Sequence, residues 1–417
     1  MFINKLGLKN FKCFKEVEVD FSKITLLTGE NSSGKSSLIY GLLAPFQSEG
    51  FPLYLFPNGK YVNMGDFEEI SFRRNKNNTI EINIDFNENK HHKTIIETAW
   101  VLDSVNKLPK LYHLKTKFFN INEVIQIDLK DNNYICNLYR EENIKNFRSV
   151  KDLEVSDLDQ IYLRYPDAED SKDISIFCKK TLDFANWMDN FNLNPTLNFI
   201  GSHRLNPERT YYQKTKSSHQ IFTSGEGFID QILEWKEKKN ESFHYLMLAL
   251  KKLNLLYDIK PHKIGGGRFD LRVKVTQNSG WSSLTDVGFG ISQLLPILVA
   301  DLQMDSNSTM IIAQPEIHLH PSIQAKLGDY FVHEANESQM QYIIETHSEY
   351  LINRLRLCIV KGEIESEDVA VYYFENTAKE GSIAHRIEFS KHGQILNAPQ
   401  GFFDTYMMDT MNIALNA

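Results

Sequence analysis

Apolar and polar positions alternate in short runs through the first third of the chain. Lys23 to Thr28 (KITLLT) is an aliphatic and β-branched run of strand length, which predicts a buried strand. Ile80, Ile82, Ile84 and Phe86 fall on every second position, as in an antiparallel strand with one face in a core. The period changes after Gly227. Phe228, Ile229, Ile232, Leu233 and Trp235 recur with helical spacing, as do Leu246, Leu248, Leu250, Leu253 and Leu256. No heptad persists, so long coiled-coil arms are not expected. Three glycines at 265–267 mark a turn, and a strand expected over Phe269 to Val275 returns the chain to α/β alternation through Phe374. Between about Asp103 and Asn198, Asn, Asp, Lys and Glu dominate and periodicity is weak, the signature of an insertion. The expected organisation is α/β, with an N-terminal lobe over 1–102, an insertion and helical region over 103–256, and a C-terminal lobe over 257–417.

The strand ending at Thr28 runs into Gly29, Glu30, Asn31, Ser32, Ser33, Gly34, Lys35 and Ser36, followed by Ser37 and an apolar helical stretch. This matches a phosphate-binding loop in full and in the confirming strand-to-helix context. Small residues let backbone N–H groups curl round a phosphate, Lys35 reaches β and γ oxygens, and the Ser36 hydroxyl is placed to ligate Mg²⁺. A chance glycine turn before a helix is the competing reading, and the flanks disfavour it.

Two further stretches carry candidate chemistry. Leu284 to Leu298 (LTDVGFGISQLLPIL) sets Gly288 and Gly290 before an expected helix. The apolar strand Thr309 to Ile312 then leads to Ala313, Gln314, Pro315, Glu316, His318 and His320, a Walker B position, and the strand Gln341 to Ile344 delivers Glu345, Thr346, His347 and Ser348. At a strand end, His347 can hydrogen-bond a γ-phosphate or an attacking water, a task that suits imidazole's paired donor and acceptor. His318 and His320, alternate residues of an extended segment, would share a face and invite a metal reading, but no third ligand lies near them in sequence. Gln47 sits twelve helical residues beyond Lys35, roughly 18 Å away, and reads as structural.

Charge and composition narrow the partners. The chain of 417 residues is 42% hydrophobic and 24% charged, with a net charge of -8, which suits a large buried core and argues against a broadly basic nucleic-acid coat. Four scattered cysteines suggest neither a disulfide framework nor a zinc site, and a reducing, cytoplasmic setting is expected. The longest apolar run, Ile291 to Ala300, is too short to cross a bilayer, so no membrane partner is expected.

Together with an opening strand containing Asn10, Phe11 and Lys12, these motifs resemble, in kind and order, the ABC-class ATPase heads of the RecF, SMC and OLD proteins. Three further stretches are Phe199 to Tyr211 with Arg204 and Arg209, Pro315 to Pro321, and Pro399, Gly401, Phe402 and Phe403. They resemble a narrower group of stand-alone bacterial ATPases from anti-phage loci, Septu-like or OLD-like, here without a Toprim acid cluster.

The resemblance implies an ABC ATPase head with a two-lobed P-loop core, an antiparallel β sub-sheet and a mixed helical insertion. It implies ATP and Mg²⁺ as cofactors and a homodimer or higher oligomer in which Gly288, Gly290 and Ser292 face the γ-phosphate held by the opposite subunit. It puts His318 and His320 at a dimer contact. It also implies a partner effector such as a nuclease, with a RecF-like DNA clamp as the alternative and nucleic acid as a possible ligand.

Two departures stand out. Ala313 occupies the place of the family's Mg²⁺-holding acid, and Gln314 that of its acidic base, so an ATPase that is slow or inactive is expected. Ala313 reads either as a substitution that traps nucleotide or as natural decay. Lys35, Gln314, Glu316 and His347 are the catalytic candidates, although Glu316 would point away along an extended strand unless the backbone turns at Pro315. For Arg204 and Arg209, salt bridging is read ahead of phosphate or nucleic-acid contact.

Overall fold

The computed structural model describes residues 1–49, 51–52, 54–89, 92–119, 123–130, 133–140, 150–153, 197–212, 220–399 and 402. Strands β1 (Phe2–Phe11) and β2 (Phe14–Asp20) open the chain, and β3 (Ile24–Gly29) leads into helix α1 (Lys35–Gln47). A short helix α2 (Phe67–Ile70) precedes β4 (Ile80–Asn89), β5 (His92–Leu102), β6 (Pro109–Phe118), β7 (Glu123–Lys130), β8 (Asn133–Arg140) and β9 (Val150–Leu153). Next come β10 (Leu197–Ile200), β11 (Tyr211–Tyr212), α3 (Phe228–Lys238), α4 (Glu241–Lys252), β12 (Asp258–Gly265), β13 (Arg268–Lys274) and β14 (Ser282–Ser283). The remainder runs α5 (Phe289–Gln303), β15 (Thr309–Ala313), α6 (Pro321–Glu337), β16 (Gln341–Glu345), α7 (Glu349–Val360), β17 (Val369–Thr377), β18 (Gly381–Phe389) and β19 (Ile395–Leu396).

These elements form two compact units that interleave in sequence. The first takes Met1–Asp20, Ser37–Asn194 and Asn376–Ile383, and the second Phe21–Ser36, Pro195–Glu375 and Ala384–Ala417. Consecutive boundaries at 102 and 256 therefore do not describe the chain.

In the first unit β1 pairs antiparallel with β2 and β4, and a meander continues from β4 to β9. The alternation read in β4 is the reason: Ile80, Ile82 and Ile84 lie opposite Trp100, Thr98 and Ile96 of β5, and all six are buried. Each aliphatic or aromatic side chain removed from water in this way contributes about 1.5–3 kcal/mol. The segment expected as an insertion after 103 thus begins by extending this meander, while its part over 154–196 lies outside the described residues. Gln47 is structural, as expected. Its carbonyl accepts from the Tyr61 and Val62 amides, and its amide donates to Phe56 O at 2.9 Å.

In the second unit the parallel order is β10-β15-β16-β3-β17. β15 and β16 are buried along their whole length, as expected for strands covered on both faces. Helices α3 to α7 contribute Ile232, Leu250, Leu298, Phe331 and Leu355 to one core with Leu26, Ile312 and Ile344. Leu253 and Leu256 lie past the end of α4 yet remain buried in that core. A small antiparallel sheet orders β11-β13-β12, with β14 on β13. Parallel register aligns Ala313 with Glu345 and Glu345 with Leu27, so β3, β15 and β16 end at one edge. Ligands of open α/β sheets bind at that edge.

Candidate functional site

The phosphate loop leaves β3 through backbone that only particular residues tolerate. Gly29 has φ of 129°, and a Cβ there would meet Phe374 O at 2.2 Å, so any side chain would collide with β17. Ser32 at φ 61° and Gly34 at φ 107° complete the curl, and α1 starts at Lys35. Glu30, Asn31 and Ser32 are exposed, whereas Ser33, Gly34 and Lys35 are buried. The Ser33 hydroxyl donates to Glu30 O at 2.7 Å, and Lys35 Nζ donates to Gly29 O at 3.1 Å and Glu30 O at 2.5 Å. Burial lowers the Lys35 pKa, with the charges of Glu345 and Glu30 opposing it. A buried ammonium held by loop carbonyls is poised for an anionic partner.

Beside it stands a carboxylate that the sequence reading did not assign. Ser36 Oγ lies 3.0 Å from both Oε1 and Oε2 of Glu345, the last residue of β16. Glu345 is 6% exposed, and burial raises its pKa against the Ser36 hydrogen bond and the Lys35 charge. One signal existed in the sequence: an apolar strand, Gln341 to Ile344, that ends on an acid level with the phosphate loop.

Ala313, expected at the Walker B position, is buried. Past it the chain does not stay extended. Gln314 adopts φ of 49° and its amide donates to Glu345 O at 2.7 Å, after which 315–318 form a turn. This turn corrects two expectations. Glu316 swings back into the protein, 8% exposed, and its Oε1 accepts from the His347 amide at 2.7 Å. Among the described residues its Oε2 has no hydrogen-bond partner, and burial raises the pKa of the carboxyl. His318 and His320 do not share a strand face: His318 has φ of 62°, and its ring meets Phe289 edge-on at 4.9 Å, while His320 caps α6 by accepting from the Ser322 amide.

Arg204 holds this turn. Its guanidinium is buried and donates to Ala313 O at 2.5 Å, Gln314 O at 2.8 Å, Gly201 O at 3.0 Å and Gln293 O at 3.2 Å. Burial pulls its pKa to about 10, with Glu316 opposing. In place of the expected salt bridge, among the described residues Arg204 binds backbone carbonyls. Arg209 pairs with Asp286 at 2.9 Å on the surface. His347 lies at the surface of the same edge, and partial desolvation and then the Lys35 charge lower its pKa, which favours neutral imidazole.

The glycine stretch differs from its expected role in one respect. Gly288, the N-cap of α5, is exposed with open space around it, and Phe289 beside it is exposed. Gly290 instead lies inside the first turn, where a Cβ would meet His318 O at 2.4 Å. Ser292 is 1% exposed and donates to Phe289 O at 2.7 Å, so its hydroxyl is turned inward.

One further cluster brings Asp329, Cys358 and Glu363 within 4.8 Å. Arg354 already occupies both Asp329 oxygens at 2.6 Å, and burial pushes the Cys358 thiol up to about 12, so the cluster reads as an ion pair beside a buried thiol. Among the described residues no helix is long and apolar enough to cross a membrane. Of the closing motif, Phe402 is buried edge-on to Tyr373 at 5.8 Å, and Gly401 and Phe403 lie outside the described residues.

The model of the family described as AAA ATPase domain matches residues 1–352. The chain belongs to that ATPase family. A second model, described as Protein of unknown function (DUF3696), matches residues 364–413. No curated protein matched the chain. Among solved structures, the SMC head domain from Thermotoga maritima aligns at 12% identity over 93% of this ATPase and 100% of that chain, with a TM-score of 0.44. An Smc head domain with an extended coiled coil, bound to the C-terminal domain of ScpA derived from Pyrococcus furiosus, aligns at 11% identity over 99% of each chain, with a TM-score of 0.39. Likeness at that level carries no argument about function.

Proposed function

We propose that the ATPase binds ATP with Mg²⁺ at the edge formed by β3, β15 and β16, hydrolyses it slowly, and closes on nucleotide against a second copy. The observation that carries this is the convergence of Lys35, Ser36 and Glu345 at a phosphate loop: a cation for the phosphates, a hydroxyl for the metal and a carboxylate beside it. The residues present fit a bound divalent cation, because a buried carboxylate facing a hydroxyl is a hard oxygen donor set. Bound there, Mg²⁺ would neutralise phosphate charge.

Slow turnover follows from Gln314, since an amide at the base position cannot accept the proton of an attacking water. Glu316 does not replace it, because its carboxylate is closed off from solvent, with Oε1 held by the His347 amide and Oε2 buried. It acts as a strut between the two strand ends. A second copy would meet this head through Gly288 and Phe289, the exposed N-terminus of α5, whose amides suit a phosphate; the buried Ser292 would not take part. In this reading, closure is what an effector would sense.

The test is calorimetry of Mg²⁺-ATP binding with the parent and Lys35→Ala, coupled to light scattering. The parent is expected to bind and to double in mass, and the variant to lose both. Equal affinity of the two would overturn the site.

A further inference from the structure

We propose that Glu345 is a direct ligand of the divalent cation that accompanies the nucleotide, and that the metal-holding acid of this ATPase therefore sits on β16 rather than at residue 313 of β15. The inference rests on the ATP reading above.

Distance is the first argument. Adjacent ligands of an octahedral Mg²⁺, each about 2.1 Å from the ion, lie about 3.0 Å apart. Ser36 Oγ, the hydroxyl of the phosphate loop, is 3.0 Å from either oxygen of Glu345. The two groups already stand at the separation of neighbouring ligands.

Strand order is the second. β16 lies between β15 and β3, and Glu345 is level with Ala313 on one side and Leu27 on the other. A carboxylate at 345 is thus one strand nearer the phosphate loop than one at 313. Its backbone is fixed from both sides, since Glu345 O accepts from the Gln314 amide at 2.7 Å and the next amide, that of Thr346, donates to Leu27 O at 2.9 Å.

The third argument is the cost of the group. A carboxylate 6% exposed needs compensation, and among the described residues its side chain receives a hydrogen bond only from the Ser36 hydroxyl. The Lys35 charge helps, but Lys35 Nζ is bonded to Gly29 O and Glu30 O. A divalent cation between Glu345, Ser36 and phosphate oxygens would satisfy the carboxylate and explain why a small apolar residue is tolerated at 313.

The experiment titrates Mn²⁺, as a paramagnetic substitute for Mg²⁺, into the full chain saturated with adenylyl imidodiphosphate, and follows free Mn²⁺ by electron paramagnetic resonance. Glu345→Gln should weaken Mn²⁺ at least tenfold, and adding Ala313→Asp to it should recover most of the loss by offering an acid one strand away. A Mn²⁺ affinity within twofold of the parent would overturn the assignment while leaving the ATP reading intact. Failure of the parent itself to bind the analogue would overturn both. An arm that needs no substitution is the anomalous-scattering map of the parent with Mn²⁺ and the analogue. A peak within bonding distance of Ser36 Oγ and a Glu345 oxygen supports the assignment, and a peak bonded to Ser36 but not to Glu345 overturns it.

Discussion

The two halves of the edge where β3, β15 and β16 end are built on opposite principles. The phosphate half is a single run, Gly29 to Ser36, whose shape is set by its own backbone: φ of 129° at Gly29, 61° at Ser32 and 107° at Gly34. The carboxylate half is assembled from segments far apart in sequence. Arg204 follows β10, Ala313 ends β15 with Gln314 just past it, Glu316 sits in the turn beyond, and Glu345 ends β16. The first half can be read from a motif because each conformation is local. The second depends on which strand lies next to which, and a motif cannot encode that.

If this contrast is sound, the assembled half should depend on one residue that no motif names. Arg204 is that residue, donating from inside the protein to the carbonyls of Ala313 and Gln314. Arg204→Ala would take the guanidinium from those carbonyls and its charge from beside the buried Glu316, and is expected to cost on the order of 3–5 kcal/mol. Arg204→Lys should recover little, since an ammonium cannot reach four carbonyls as a planar fork does. Chemical denaturation of the three proteins measures this. A loss below about 1 kcal/mol for Arg204→Ala, typical of a surface contact, would mean that the turn holds itself.

A smaller effect separates the two positions at the end of β15. Restoring a base with Gln314→Glu is expected to raise steady-state phosphate release on the order of a hundredfold at saturating ATP. Ala313→Glu should change it far less if Glu345 already holds the metal, because the new acid would only crowd its register partner. A larger response at 313 than at 314 would return the metal-holding role to β15.

Much of the second unit was legible for the same reason as the phosphate loop. The apolar runs at 309–312 and 341–344 form fully buried strands because both faces are covered, and helical spacing after Gly227 gives α3 and α4. Three readings needed the fold. Glu316 points away only if the strand stays extended past Pro315, and it is the left-handed Gln314 that turns it inward, a conformation glutamine rarely takes and that its sequence neighbours do not announce. Ser292 is expected toward nucleotide, but α5 is buried on all sides from Ser292 to Asp301 and the hydroxyl bonds back to Phe289 O. The stretch after 103, polar and weakly periodic, nonetheless continues an antiparallel meander. There, cross-strand pairing with β5 supplies the order that local pattern lacks.

The smallest effect concerns a carboxylate away from the nucleotide, and it probes how the core beneath the assembled half tolerates charge. Asp301 of α5 is 5% exposed, and it accepts hydrogen bonds from Tyr330 of α6 at 2.5 Å and Tyr342 of β16 at 2.8 Å. Burial raises its pKa to about 7, the Tyr330 hydrogen bond opposes this, and the charge of Glu334 adds to it. The folded chain therefore retains a proton that the unfolded chain, with an ordinary aspartate, has released well below pH 6. Where the folded state binds more protons, stability falls as pH rises, and here the fall runs from about pH 4 up to the folded-state value near 7 and then levels. Between pH 6 and 8 the expected loss is about 1.4 kcal/mol, the equivalent of one pKa unit. Asp301→Asn keeps an acceptor for both hydroxyls and cannot ionise, so subtracting its denaturation free energy from that of the parent at each pH isolates this group. The difference should move against the parent as pH rises from 6 to 8. A flat difference would mean that Asp301 is ionised throughout and that the two tyrosine hydroxyls suffice to hold its charge.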